Sequence, residues 1–243
     1  MKQIKIFIAS LFLLNSMAQA DITLYYKSNN EISSILVSNG KVRIDKSRGS
    51  NAIIFDLEQD RLLILDFKKQ EYINMEKMVE QVSIIQTQMK NMLEQQIKNM
   101  PPKDQEEMRQ MLLQTPDVKA PVITVKKTGL KDHVMGIECE RVMVTQNQHK
   151  DEMCIAPIEK IGMLKADFKT MEKLMKRMND LANKAKTPAK QRPLLMPQDM
   201  GGVPIKNYSG AQRELIRVEH QPIKAYLFAI PKGYTEKQLR LLN

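Results

Sequence analysis

The chain contains only two cysteines, Cys139 and Cys154, and both fall in one stretch, residues 127–157, that reads as a β-hairpin. A two-residue loop at Gln146 and Asn147 opposes Cys139 with Cys154, Arg141 with Glu152 and Ile137 with Ala156. One register thus satisfies a disulfide, an ion pair and an apolar pair. Opposed residues of antiparallel strands lie about 4.5 to 5.5 Å apart at Cα, within the reach of a disulfide. The alternative is a pair of buried free thiols, the ordinary state in a reducing cytosol, and the N-terminus weighs against it.

Residues 1–20, MKQIKIFIASLFLLNSMAQA, combine early positive charge (Lys2, Lys5), an apolar run from Ile6 to Leu14, and the small residues Ala18 and Ala20. This pattern predicts a secretory signal peptide cleaved between Ala20 and Asp21. The alternative, an uncleaved anchor, would need a longer run to cross roughly 30 Å of hydrocarbon. No cysteine follows the cleavage site, so lipid attachment is not expected there, and no other stretch has the length of a membrane span. The expectation is a periplasmic or secreted protein with no transmembrane segment in its mature chain, in a compartment where disulfides persist.

Loss of Lys2 and Lys5 would leave 36 basic against 28 acidic side chains, and the surplus is local. Between residues 160 and 192, ten Lys or Arg stand against three Asp or Glu. Such a patch suits an acidic envelope protein, an anionic lipid headgroup or nucleic acid. Export makes nucleic acid the least available of these, and no nucleic-acid partner is expected. A solvated helix face that keeps the protein soluble is the bland alternative.

From residue 21 to 75 the pattern is β. Asn39-Gly40 favours a two-residue type I′ turn, which opposes Val37 with Val42 and Ile35 with Ile44 and leaves Ser34, Arg43 and Asp45 on the other face, Leu36 being the exception. One face should meet a core and the other mostly water. Short strands at 51–56, 61–66 and 70–75 extend this into an antiparallel meander.

At Glu76 the period changes. Met78, Val82, Ile85, Met89 and Met92 recur at spacings of four and three, predicting an amphipathic helix to about Lys98. Pro101-Pro102 stops it, and a second helix over about 103–114 uses Met108, Met111 and Leu112. A third helix, about 164–185, repeats the spacing with Leu164, Phe168, Met171, Met175 and Met178, keeping Lys169, Lys173, Lys176, Arg177 and Lys184 off the stripe. Residues 187–200, with three prolines and no periodicity, read as a mobile loop. Strands follow at 203–209, 212–220 and 223–231, the last two paired about Gln221-Pro222, and 234–243 reads as a short helix. Residues 21–243 are expected to form a single α+β domain, mainly antiparallel β.

Several short motifs carry a resemblance. Lys127-Thr128-Gly129, Gly136 before Glu138-Cys139, Val142 and Val144, Glu152 with Ile155-Ala156, Gly202-Val203-Pro204 and Pro231-Lys232-Gly233-Tyr234 are similar in order and kind to a family of exported bacterial domains of unknown function, family 4412. Such domains resemble the periplasmic lipoprotein carriers, in which a curved antiparallel sheet wraps helices around an apolar cavity. The resemblance implies a strongly curved incomplete barrel, with helical lids at about 76–114 and 164–185. It supplies no catalytic residues, and the Met-rich segment 76–114 departs from the usual pattern.

The residues offer little catalytic chemistry. His133, His149 and His220 stand apart, with no HExxH-like pair and no Gly-x-Ser-x-Gly. The i, i+3 pairs Met89 with Met92 and Met175 with Met178 hold soft ligands, yet the same spacing buries a stripe; no metal, no cofactor and no enzymatic activity are expected. Methionine repacks around ligands of varied shape, so the expected function is a non-catalytic periplasmic carrier or sensor for a lipid, acyl chain or other apolar envelope component. Met78, Met89, Met92, Phe168, Met171, Met175 and Met178 would line its cleft, with Lys169, Lys173 and Lys176 pairing an anionic head. The alternatives are that these methionines fill a core, or that the chain is an envelope interaction module without a small ligand, docking a partner protein through a sheet edge and the basic helix.

Overall fold

The computed structural model describes residues 21–46, 49–113, 123–146, 149–185, 200–209 and 212–238. Residues 1–20, most of the expected loop at 187–200 and the end of the chain lie outside them. The first half is the expected meander: β1 (Ile22–Ser28), β2 (Glu31–Ser38), β3 (Lys41–Asp45), β4 (Asn51–Asp56), β5 (Arg61–Asp66) and β6 (Glu71–Asn74). Then come α1 (Met75–Lys98), α2 (Pro102–Leu113), β7 (Ile123–Val134), β8 (Ile137–Gln146), β9 (His149–Ala156), α3 (Lys165–Lys184), β10 (Val203–Asn207), β11 (Arg213–Glu219) and β12 (Thr235–Glu236).

All twelve strands belong to one sheet, ordered β12-β6-β5-β4-β3-β2-β1-β11-β10-β9-β8-β7. This corrects the expected incomplete barrel with helical lids. The two edges, β12 and β7, do not pair with each other, and the sheet stays open. The joint is β11, which pairs antiparallel with both β1 and β10 and so fuses the N-terminal meander to the disulfide hairpin. Sequence reading paired 212–220 with 223–231 instead. Pro222 cannot donate a ladder hydrogen bond, and the segment beyond it forms a 3₁₀ turn, Ala225–Phe228, rather than a strand. Thr235–Glu236, expected in a short helix, is a two-residue strand parallel to β6.

The Asn39-Gly40 turn holds both residues at positive φ, 47° and 73°, and pairs Val37 with Val42 and Ile35 with Ile44. Those residues face the main core with Ile22, Leu24, Phe55 and Leu62. The opposite face is not left to water. Leu36, Ala52, Ile54, Leu63 and Leu65 form a second core with Phe228, flanked by Ile223, Leu227, Ile230 and Tyr234, so the C-terminal segment is a strap across the back of β2–β5. Leu36, the exception in the sequence pattern, is the residue that this strap covers. Arg43 fastens it, donating to the Leu227 carbonyl at 2.6 Å while pairing with Asp45.

The hairpin turns one residue later than the sequence suggested: Gln146 opposes His149 and Arg141 opposes Cys154. The shift moves each partner by two positions, and an even slip keeps every side chain on its face. Cys139 and Cys154 are therefore still joined, diagonally, with Cα atoms 5.5 Å apart, and Arg141 still meets Glu152 at 3.4 Å. Replacing both cysteines by alanine is expected to cost about 3 kcal/mol on the chain-entropy estimate for a loop of this size, read as a lower urea midpoint. No change in midpoint would show that the bridge does not constrain the unfolded chain.

Candidate functional site

The two apolar stripes meet different fates. On α3, Met171 is 1% exposed and packs with Leu174 and Leu181 in the main core, while Phe168, Met175 and Met178 are half-buried against it. The outer face of α3 presents Lys165, Lys169, Lys173 and Lys176 to solvent, at spacings of four, four and three. None of these lysines forms an ion pair with a described residue. On α1, Val79 is buried and Met75, Met78, Val82 and Ile85 are half-buried, but the stripe then leaves the sheet. Met89 is 57% exposed and Met92 61%, with Leu93 beside them in solvent, and only Ile97 in the last turn is buried again.

The two helices meet at the start of α1. Asn74 caps that start, its side chain accepting from Lys77 N at 3.2 Å. Arg177 of α3 there donates to Glu76 at 3.2 Å and pairs with Asp60. The expected lining residues are thus not brought together around one cleft: the α3 set packs into the core and Met89 and Met92 lie on an outward arm formed by α1 and α2. The arm carries five basic and six acidic side chains over residues 75–113, whereas α3 carries six basic against three acidic, so the arm has no share in the basic surplus.

Sequence reasoning missed a polar cluster beside the disulfide. Tyr208 donates a short hydrogen bond to Asp132, Arg141 pairs with Asp132 at 3.1 Å, and the Arg141 guanidinium lies over the Tyr208 ring, 4.3 Å from its centroid. The Tyr208 hydroxyl, then the His133 amide and Arg141, hold the Asp132 carboxyl down at about 2. Burial, then the bond to Asp132, pushes the Tyr208 phenol up to about 12. At neutral pH the cluster is therefore an anion, a neutral phenol and a cation, and it ties β7 and β8 to the residue that follows β10. No local motif announces it, because Tyr208 is 76 residues from Asp132.

A groove of about 500 Å³ adjoins this cluster, lined by Lys27, Lys206, Tyr208, Arg213, Glu214 and Ile216 among others. In it Arg213 stacks on Tyr26 at 4.0 Å and Lys206 pairs with Glu214 at 3.6 Å. A second, of about 510 Å³, runs between Lys127, Lys131, Glu138, Glu140 and the apolar Val142, Ile155 and Met200. Neither is lined by any of the methionines read as lining residues. Among the described residues no group of three or more His, Cys, Asp or Glu is placed to hold a metal ion, and no helix is long and apolar enough to cross a membrane.

A profile of the family described as "Domain of unknown function (DUF4412)" matches residues 20–234. No curated protein sequence matches the chain. Two crystal structures of PNGF-II, in space groups P21 and C2, are similar to it at 9% identity, with TM-scores of 0.42 and 0.41. In each, 90% of this chain is covered against 31% of the other, so the chain spans about a third of the length of those proteins.

Proposed function

The chain belongs to the DUF4412 family, and from that premise and the geometry above we propose that it is an exported, non-catalytic binding module that docks an apolar patch of an envelope protein on the outer half of α1. The observation that carries this reading is the exposure of Met89 and Met92, with Leu93 beside them, on the stretch of α1 between the buried Val79 and Ile97. Apolar side chains grouped on one helix face mark a surface that another surface covers. Methionine is enriched at protein interfaces and adapts to the shape it meets.

Two observations favour a protein over a lipid. An interfacial membrane helix carries a lysine-rich polar face, whereas the arm has one more acid than base. A carried acyl chain needs an enclosed apolar lining, and Met171, Met175 and Met178 are engaged with the core instead. The lysines of α3 supply a separate cationic face that can steer an acidic partner on approach.

The test is a photo-crosslinking amino acid at position 92 in cells that make the full chain. A discrete protein adduct is expected there, and none from the same probe at Thr124 on the exposed β7 edge. Adducts of equal yield at both positions, or an adduct with lipid at position 92, would contradict the proposal.

A further inference from the structure

Of the half-buried arginines, Arg43, Arg141 and Arg177 each pair with a carboxylate. Arg213, the first residue of β11, pairs with no carboxylate of the described residues. Its guanidinium lies over the Tyr26 ring, 4.0 Å from the centroid. Among the described residues it makes one hydrogen bond, from Nη2 to Ser33 Oγ at 3.4 Å. Its Nε is enclosed with no acceptor, while Nη1 has none either but is not enclosed. A guanidinium carries five N–H donors, and most of these are unspent. A cation drawn partly out of water without a counter-charge is costly. Arg61 also lacks a carboxylate partner among the described residues, but it lines neither groove.

Arg213 lines the first groove, and strand pairing brings other cations there. Lys27 of β1 opposes Glu214 of β11, and Glu214 in turn opposes Lys206 of β10. The groove thus holds three cations, Lys27, Lys206 and Arg213, against one acid. Glu214 is engaged with Lys206 at 3.6 Å. Lys27, like Arg213, pairs with no carboxylate of the described residues, so two positive charges stand uncompensated. Asn29 and Gln212, both exposed, add side-chain amides to the lining. A groove of about 500 Å³ has the size of a small-molecule site.

We propose that this groove binds the phosphate monoester group of a small ligand, its oxygens accepting from Arg213 while Lys27 and Lys206 balance its charge. A phosphate monoester carries about −1.5 to −2 at pH 7 and presents three strong acceptor oxygens. It matches the two uncompensated cations, whereas a single carboxylate would leave one of them over. The planar fork of arginine suits phosphate oxygens, and the stack on Tyr26 holds that fork in place before a ligand arrives. Ile216, which also lines the groove, gives the organic part of the ligand an apolar wall. The site lies apart from the outer half of α1 and does not depend on the docking proposed there.

The experiment is titration calorimetry of the purified protein with glycerol 3-phosphate and with acetate. The phosphate ester is expected to bind, and acetate to bind far more weakly. Arg213→Lys keeps the charge and removes the fork, and should weaken binding by about tenfold or more. Lys27→Ala, at an exposed side chain, should weaken it severalfold at an unchanged melting temperature, and so decides the matter should Arg213→Lys not fold. Lys169→Ala combined with Lys173→Ala, on the separate cationic face of α3, should leave binding unchanged.

Vesicles of phosphatidylcholine with and without phosphatidic acid distinguish the source of the phosphate. Cosedimentation that requires phosphatidic acid and is lost in Lys27→Ala assigns the group to a lipid head, and binding of the free ester alone assigns it to a soluble ligand. Absence of binding to either source would overturn the proposal. So would acetate binding as tightly as the ester, or a loss of binding that follows the α3 lysines rather than Lys27 and Arg213.

Discussion

Truncation of Leu174 to alanine is expected to destabilise the protein by about 3 kcal/mol, the middle of the range for a buried leucine whose cavity cannot collapse. Leu174 is fully buried at the centre of α3, in the cluster that joins Ile22, Leu24, Phe55 and Cys154 across the sheet. Both the transfer and the cavity terms therefore apply. The same substitution at Leu93, on the outer half of α1, should change stability by no more than about 0.5 kcal/mol. Urea denaturation reads both effects as shifts of midpoint at constant slope. Equal shifts at the two positions would mean that α1 is as much a part of the core as α3, against its observed exposure.

That contrast explains what could be read in the residues and what could not. The stripes of α1 and α3 repeat the same spacings, and periodicity correctly located both helices. It says that a face is apolar, however, and not which partner buries it. Met89 and Met175 hold equivalent places in the two patterns, yet one is in solvent and the other packs on the core. The Asn39-Gly40 hairpin was legible to the residue because the turn chemistry and the alternation of side chains agree.

The disulfide survived an error in the turn because only a slip by an odd number would have sent Cys154 to the other face. The pairing of β1 with β11 was not legible: Tyr26 meets Leu215 almost 190 residues away, and no local pattern encodes that distance. The barrel expectation failed at this joint, since inserting β11 beside β1 produces one open twelve-stranded sheet. The Asp132–Arg141–Tyr208 cluster was missed for the same reason, its members coming from β7, β8 and the residue after β10, which only the tertiary fold brings together.

The largest functional effect is expected from Met89→Glu combined with Met92→Glu. Both side chains already lie in water, so the new carboxylates need no desolvation in the free protein, and stability should stay within about 0.5 kcal/mol of wild type. Docking would place those charges against an apolar surface, where an unpaired carboxylate is strongly disfavoured. The adduct formed by a photo-crosslinker at Leu93, beside them on the outer half of α1, should therefore disappear.

The most direct test of the account is to measure that adduct and the melting temperature together, in wild type and in the double variant. The account predicts loss of the adduct at an unchanged melting temperature. An adduct that survives the two glutamates would contradict it, and so would a drop of several degrees, because either result would mean that Met89 and Met92 are not a docking surface.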